Sequence, residues 1–254
     1  MTFDIDISEE AGVRYLHFGS DWIQGAMRVA RPWALELDYT REMMTALLMR
    51  PASQYPRWPR RTLLIGLGAG SLTKFLHRHR PESQLTVVEI EPRVVAAATH
   101  HFKLPYEDER FTVEIGDGAE YVMKKGKPFD LILVDGFDED AKCGALDTLP
   151  FYLNARSRLS DQGLLVTNLL SRRKDFRASI DRLKEAFDDR ALAFPSCDSG
   201  NAIAFAAAGE TVEMDFDDLK QEAEALRKAT SLNLLPTLTR LSRAKTCAGD
   251  RLVL

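Results

Sequence analysis

Apolar residues follow two different rhythms along this chain. Through the first fifty residues they alternate or recur at short spacing. VRYLHFG (Val13–Gly19) alternates and is rich in β-formers, so it predicts a strand. FDIDI before it and WIQGAMRV after it are its partners in a small antiparallel sheet. ALELDYTREMMTALLMR (Ala34–Arg50) places apolar residues at helical spacing among good helix formers, which predicts an amphipathic helix. PASQYPRWPRR (Pro51–Arg61) has three prolines and no periodicity, and reads as a linker.

From Arg61 onward short apolar runs take turns with helical patterns. TLLIGLG is a strand, followed by a helix to about Arg80. LTVVEI (Leu85–Ile90) is the next strand, and PRVVAAATHHF is a helix opened by Pro92, a residue favoured in the first helical turn. FTVEIGD, DLILVDG and GLLVTNLL (Gly163–Leu170) are three further strands, the last reached through a helix near residues 147–159. A helix around 173–187 precedes ALAFPS and NAIAFAAA, which are close enough to pair as a hairpin. Strands alternating with helices predict an α/β fold with a doubly wound, mostly parallel sheet. Strands without alternation fit burial on both faces. The tail, FDDLKQEAEALRKA and LPTLTRLSRA, reads as two helices. The expected organisation is a β region plus helix over 1–50, a nucleoside-binding core over 51–208, and C-terminal helices over 209–254, packed on the core or on a partner subunit.

Composition narrows the functional classes. A net charge of −4 over 254 residues gives no electrostatic reason to expect a nucleic-acid partner. No apolar run approaches the ~20 residues that span a bilayer, and the acidic start MTFDIDISEE lacks the regions of a signal peptide. Cys143, Cys197 and Cys247 are odd in number and far apart, and neither they nor the five histidines have metal-ligand spacing. These features predict a reduced, cytoplasmic, metal-free protein.

Three strand ends carry the candidate chemistry. GLGAGS follows the first core strand with Gly66, Gly68 and Gly70, and Ser71 stands where a dinucleotide fingerprint wants its last glycine. Such a turn admits a ligand close to the backbone at a helix N-terminus, or it is simply a tight strand-to-helix turn. Glu89 ends the second strand, where an acidic side chain accepts hydrogen bonds from ribose hydroxyls. Glu91, two residues on, reads as surface. Asp117 and Gly118, in GDG after the third strand, suit an exocyclic amino group such as adenine N6, or an Asx turn capping a helix. Together the three ends make an adenosine site of the S-adenosylmethionine type rather than the NAD type. The fourth strand runs into Asp135, Asp138, Glu139 and Asp140, carboxylates that are either solvated or await a cation.

From Val13 to Ala208 the chain resembles the spermidine synthase (polyamine aminopropyltransferase) family. The resemblance rests on RYLHFG…WIQGAM, LDYTREM, LLIGLGAG, VVEIEP, IGDGAEYV, ILVDGFD and SGNAIAF. It implies transfer of an aminopropyl group from decarboxylated S-adenosylmethionine to an amine such as putrescine, leaving methylthioadenosine. It makes Asp135 and Asp138 the family's D-x-x-D pair, Asp135 orienting and deprotonating the reacting amine and Asp138 holding the cation. It also makes Gln24 a donor-site glutamine and Tyr39 an active-site tyrosine, and it implies a homodimer or a tetramer, the common states of such a family. The chain departs from the pattern at Ala69, where the family carries an acidic residue, at EDAKCGALD in place of a Pro/Gly gate loop, at Cys197 in place of a tyrosine, and at Asn168 in place of glutamine. These departures keep two alternatives in view: a methyltransferase using intact S-adenosylmethionine, and a non-catalytic adenosine-binding protein.

Overall fold

A computed structural model of the chain describes residues 4–20, 22–137, 144–195, 200–243 and 251–254. The N-terminal segment folds as the antiparallel sheet its alternation predicts, from β1 (Ile5–Glu10), β2 (Val13–Phe18) and β3 (Ile23–Arg28) in that order. The helix expected over Ala34–Arg50 is instead two short pieces, α1 (Asp38–Met43) and α2 (Ala46–Met49). The break lies at Met44 and Thr45, whose amides bond back three residues, to Arg41 and Glu42, rather than four. Every residue from Met43 to Met49 is buried, so this stretch has no solvent face to impose a helical period on the sequence.

The core is a seven-stranded sheet. Its strands are β4 (Arg61–Ile65), β5 (Gln84–Glu89), β6 (Phe111–Ile115), β7 (Phe129–Val134), β8 (Leu159–Leu170), β9 (Ala191–Pro195) and β10 (Asn201–Ala207), in the spatial order β6-β5-β4-β7-β8-β10-β9. The first five in that order run parallel, while β10 is antiparallel to both its neighbours. The connecting helices are α3 (Ser71–His79), α4 (Pro92–His101), α5 (Gly118–Met123), α6 (Leu149–Ser157) and α7 (Phe176–Ala186). Both faces of the sheet are covered, and successive residues go to opposite layers. Leu64, Leu131, Leu133, Leu164 and Val166 pack on one side, with Leu63, Ile65, Ile132, Val134 and Leu165 on the other. That two-sided burial is why these strands read as unbroken apolar runs.

The C-terminal segment forms α8 (Phe216–Thr230) and α9 (Leu235–Arg243), flanked by two three-residue strands that pair with each other, β11 (Glu213–Asp215) and β12 (Arg251–Val253), which the sequence did not suggest. Leu219, Ala223, Leu226, Leu238 and Leu241 are buried in the same apolar layer as Met43, Leu47 and Leu133. The tail helices therefore pack on the core. Among the described residues, no helix is long and apolar enough to cross a membrane.

Candidate active site

Strand order reverses between β4 and β7, and the crevice outside the carboxyl ends of such strands is where open α/β sheets bind ligands. Gly66 and Asp135 stand at that point. The Asp135 amide donates to the Ile65 carbonyl at 2.9 Å. A Cβ on Gly66 would lie 2.2 Å from the Asp135 carbonyl oxygen, and Gly66 has φ +91°, so the approach admits only glycine. The N-terminal sheet crosses this turn. A Cβ on Gly25 in β3 would stand 2.6 Å from the Ala69 Cβ, and the Ser71 hydroxyl donates to the Ala26 carbonyl at 3.0 Å. Gln24 is carried on the same strand, its backbone carbonyl facing Gly68. The tight-turn reading thus accounts for the glycines by packing alone, and the case for a ligand rests on the strand ends.

Ala69 is buried with Leu16, Met27, Ala97 and Phe102. The position where relatives were expected to carry an acid therefore faces the N-terminal sheet.

Glu89 is buried, and its carboxylate accepts from the amides of Leu67 and Glu91 at 2.8 and 2.9 Å. Burial pushes its pKa up, partly offset by those backbone donors. Each oxygen retains a further lone pair for a ribose hydroxyl. Beside it, Ile115 pairs with Glu89 across β5 and β6 and is 54% exposed, while Ile90 is 68% exposed. Two bared isoleucines next to a buried carboxylate give an apolar ring something to rest on, a feature the sequence reading missed. Glu91 is not a free surface charge. It caps α4 through the Arg93 amide at 3.1 Å and pairs with the Arg93 guanidinium, which with that amide holds its pKa down near 2. Asp117 caps α5, accepting from the Ala119 amide at 2.6 Å. Gly118 sits against Ile65, where a Cβ would come within 2.2 Å of the Ile65 side chain.

A second polar cluster gathers around Asp135. Tyr39, from α1, donates its hydroxyl to Asp135 Oδ2 at 3.0 Å, and Asn168, from β8, donates its amide to Oδ1 at 3.0 Å. Helix α1 lies over β8 and β10, and a chain of bonds fixes its entry. Arg41 donates to the Leu35 and Glu36 carbonyls and to Asp38, and Arg28 pairs with Glu36. Burial raises the Asp135 pKa above the ordinary carboxylate range, and the bonds from Asn168 and Tyr39 pull it back in part. Asn168 is buried, and its own Oδ1 has no hydrogen-bond partner among the described residues. Asp138, Glu139, Asp140, Cys143, Cys197 and Cys247 lie outside the described residues.

The arrangement sets a buried strand-end carboxylate with free lone pairs, Glu89, on the same sheet edge as a hydrogen-bonded carboxylate of raised basicity, Asp135. The spermine/spermidine synthase domain model matches residues 38–197. A polyamine aminopropyltransferase of Neisseria meningitidis is 38% identical over 230 residues, covering 91% of this chain and 86% of the relative. Among solved structures, a probable spermidine synthase from Corynebacterium glutamicum superposes with a TM-score of 0.72 at 19% identity, covering 91% and 92% of the two chains, and so shares the fold. Human methyltransferase-like protein 13, solved in complex with SAH, superposes with a TM-score of 0.69 at 25% identity, covering 77% of this chain and 93% of that one.

Proposed function

Because the chain belongs to the spermine/spermidine synthase family, we propose that it moves an aminopropyl group from decarboxylated S-adenosylmethionine to an amine such as putrescine. The observation that carries this reading is the Tyr39–Asp135–Asn168 constellation, a carboxylate set into the crevice with both oxygens oriented. An alkyl diamine carries two ammonium groups at neutral pH, each with a pKa of ~10.4. One must lose its proton before it attacks. Asp135 takes that proton, and the raised basicity that burial gives it suits the task. Tyr39 and Asn168 hold the carboxylate so that it faces the amine nitrogen. The nitrogen lone pair then forms a bond to the methylene carbon next to sulfur. The carbon–sulfur bond breaks, its pair stays on sulfur, and methylthioadenosine leaves.

On the donor side, the proposal puts the nucleoside along the carboxyl ends of β4, β5 and β6. Glu89 accepts the ribose hydroxyls on its remaining lone pairs, Ile90 and Ile115 flank the base, and the Asp117–Gly118 turn meets the base edge. Gln24 and the Gly66–Gly70 turn border the sulfonium end. The proposed setting is cytoplasmic.

A methyltransferase reading is favoured by one observation, the apolar surroundings of Ala69. No carboxylate stands there to repel the carboxylate of intact S-adenosylmethionine. The Asp135 carboxylate, held by Tyr39 and Asn168, speaks for an amine nonetheless. The test is to incubate the purified protein with decarboxylated S-adenosylmethionine and, separately, putrescine, cadaverine, agmatine and spermidine, reading products by mass spectrometry. Methylthioadenosine together with one amine heavier by an aminopropyl unit supports the proposal and names the acceptor. No methylthioadenosine with any amine, from protein that binds the nucleoside, would refute it.

A further inference from the structure

Helix α1 has little reason to be helical on its own. It is six residues long, and isolated helices shorter than about a dozen residues are marginal in water. No side chain caps its N-terminus, where Leu37 stands. Yet it carries Tyr39, whose hydroxyl must stay on Asp135. Something outside the helix has to hold it.

Glu42, three residues beyond Tyr39 in the same helix, is 1% exposed at its side chain and forms an ion pair with Arg240 of α9. Arg240 thus pairs with the buried carboxylate of α1, while Asp38 is bound to Arg41 within the helix at 2.8 Å. Arg240 is held in place from its own side, since its neighbours Leu238 and Leu241 are buried in the apolar layer that also contains Tyr39 and Met43. Arg240 also lies beyond the residues matched by the family domain, which end at 197.

We propose that Arg240 is a positioning residue for aminopropyl transfer: acting through Glu42, the C-terminal helix sets α1 so that Tyr39 meets Asp135. The inference rests on the proposed transferase reading for its kinetic consequence, but its structural content does not. Removing one partner of a buried ion pair is strongly destabilising, because the carboxylate left behind has lost the cation that compensated its burial. A displacement of even 1 Å at a catalytic group costs about 100-fold in rate.

The test compares Arg240→Met, Arg240→Lys and the double variant Glu42→Gln/Arg240→Met, which removes both charges and keeps the shapes. Two readouts are taken. The first is single-turnover transfer together with donor affinity. Arg240→Met should lose about 100-fold in the transfer step with donor affinity unchanged. Arg240→Lys and the double variant should each recover most of that loss. The second readout needs no turnover: the fluorine resonance of 3-fluorotyrosine placed at position 39. It should shift in Arg240→Met in the same direction as in Asp135→Asn, and return in the double variant.

The inference is overturned if the position-39 resonance stays put in Arg240→Met. It is equally overturned if transfer and donor affinity fall together, or if the double variant is no better than the single one. Failure of the wild-type protein to transfer an aminopropyl group would refute the functional reading alone, leaving the fluorine result to decide this one.

Discussion

Replacing Asp135 by asparagine separates the catalytic use of this carboxylate from its structural cost. The side chain keeps its size, and both hydrogen bonds survive. Tyr39 still donates to the amide oxygen, and Asn168 turns over to present its otherwise unpartnered Oδ1 to the new NH₂. What disappears is the base. General-base contributions are typically ~10²–10⁴-fold, so the transfer step should fall by that factor. The backbone contacts of Asp135 with Ile65 and Gly66 are unchanged by the substitution, and its side chain bonds to Tyr39 and Asn168 rather than to the proposed donor residues Glu89 and Asp117. Nucleoside affinity should therefore stay within about 0.5 kcal/mol of wild type. Stability has a definite sign as well. Burial raises the folded-state pKa of Asp135, and a group raised in this way contributes stability below its unfolded pKa and loses it as pH rises through the folded value. At neutral pH the ionised carboxylate is therefore a net cost. The variant should melt no lower than wild type at pH 7.5, and the difference should vanish in acid. Rapid-quench single turnovers, nucleoside titration calorimetry and thermal melts at two pH values check the three parts. Retained transfer, or equal loss of transfer and nucleoside binding, would refute the assigned role.

Tyr39→Phe removes one of the two bonds that lower the Asp135 pKa, so the acid limb of kcat/KM against pH should move to higher pH, whereas a purely structural tyrosine would leave the limb in place. Glu89→Gln should raise the dissociation constant for methylthioadenosine by about 1.5–3 kcal/mol, the worth of a hydrogen bond to a charged group, with little change in the rate of bound substrates. Gly66→Ala forces a Cβ onto the Asp135 carbonyl at positive φ; overpacking and strain of ~1–3 kcal/mol each should show as a lower melting temperature and a weakened transfer step together. Lys74, 4% exposed on α3 and donating to the Phe102 carbonyl at 2.7 Å, has its pKa pushed down by burial to about 7. Its folded form sheds the proton before its unfolded form does, so stability should rise with pH above 7 by roughly 1.4 kcal/mol per unit. Denaturant melts of wild type and Lys74→Met between pH 7 and 9 would isolate that slope.

What could be read from the chain follows its local chemistry. The parallel strands were legible because burial on both faces writes uninterrupted apolar runs, and their helices because pauses between runs match connection lengths. The division of Ala34–Arg50 was hidden, since residues buried on every side carry no period. The three-residue strands β11 and β12 are too short to leave a pattern. Within the site, Glu89 and Asp135 stood out by topology, as carboxylates ending core strands. Tyr39 and Asn168 were singled out by the family resemblance alone, because the contacts that give them meaning join Tyr39 to Asp135 across 96 positions and Asn168 to Asp135 across 33. The Glu42–Arg240 pair spans 198 positions, and only the packed fold brings it together. Asp117 and Glu91 show the converse: each has a local capping role that its sequence neighbourhood already allowed.

The most direct test of the central claim is a competition between donors. Equimolar decarboxylated and intact S-adenosylmethionine are offered together with the amine the protein prefers, and nucleoside products are counted by mass spectrometry. The account predicts methylthioadenosine in large excess, matched mole for mole by aminopropylated amine and abolished by Asp135→Asn. S-adenosylhomocysteine as the main product, with a methylated acceptor, would contradict it.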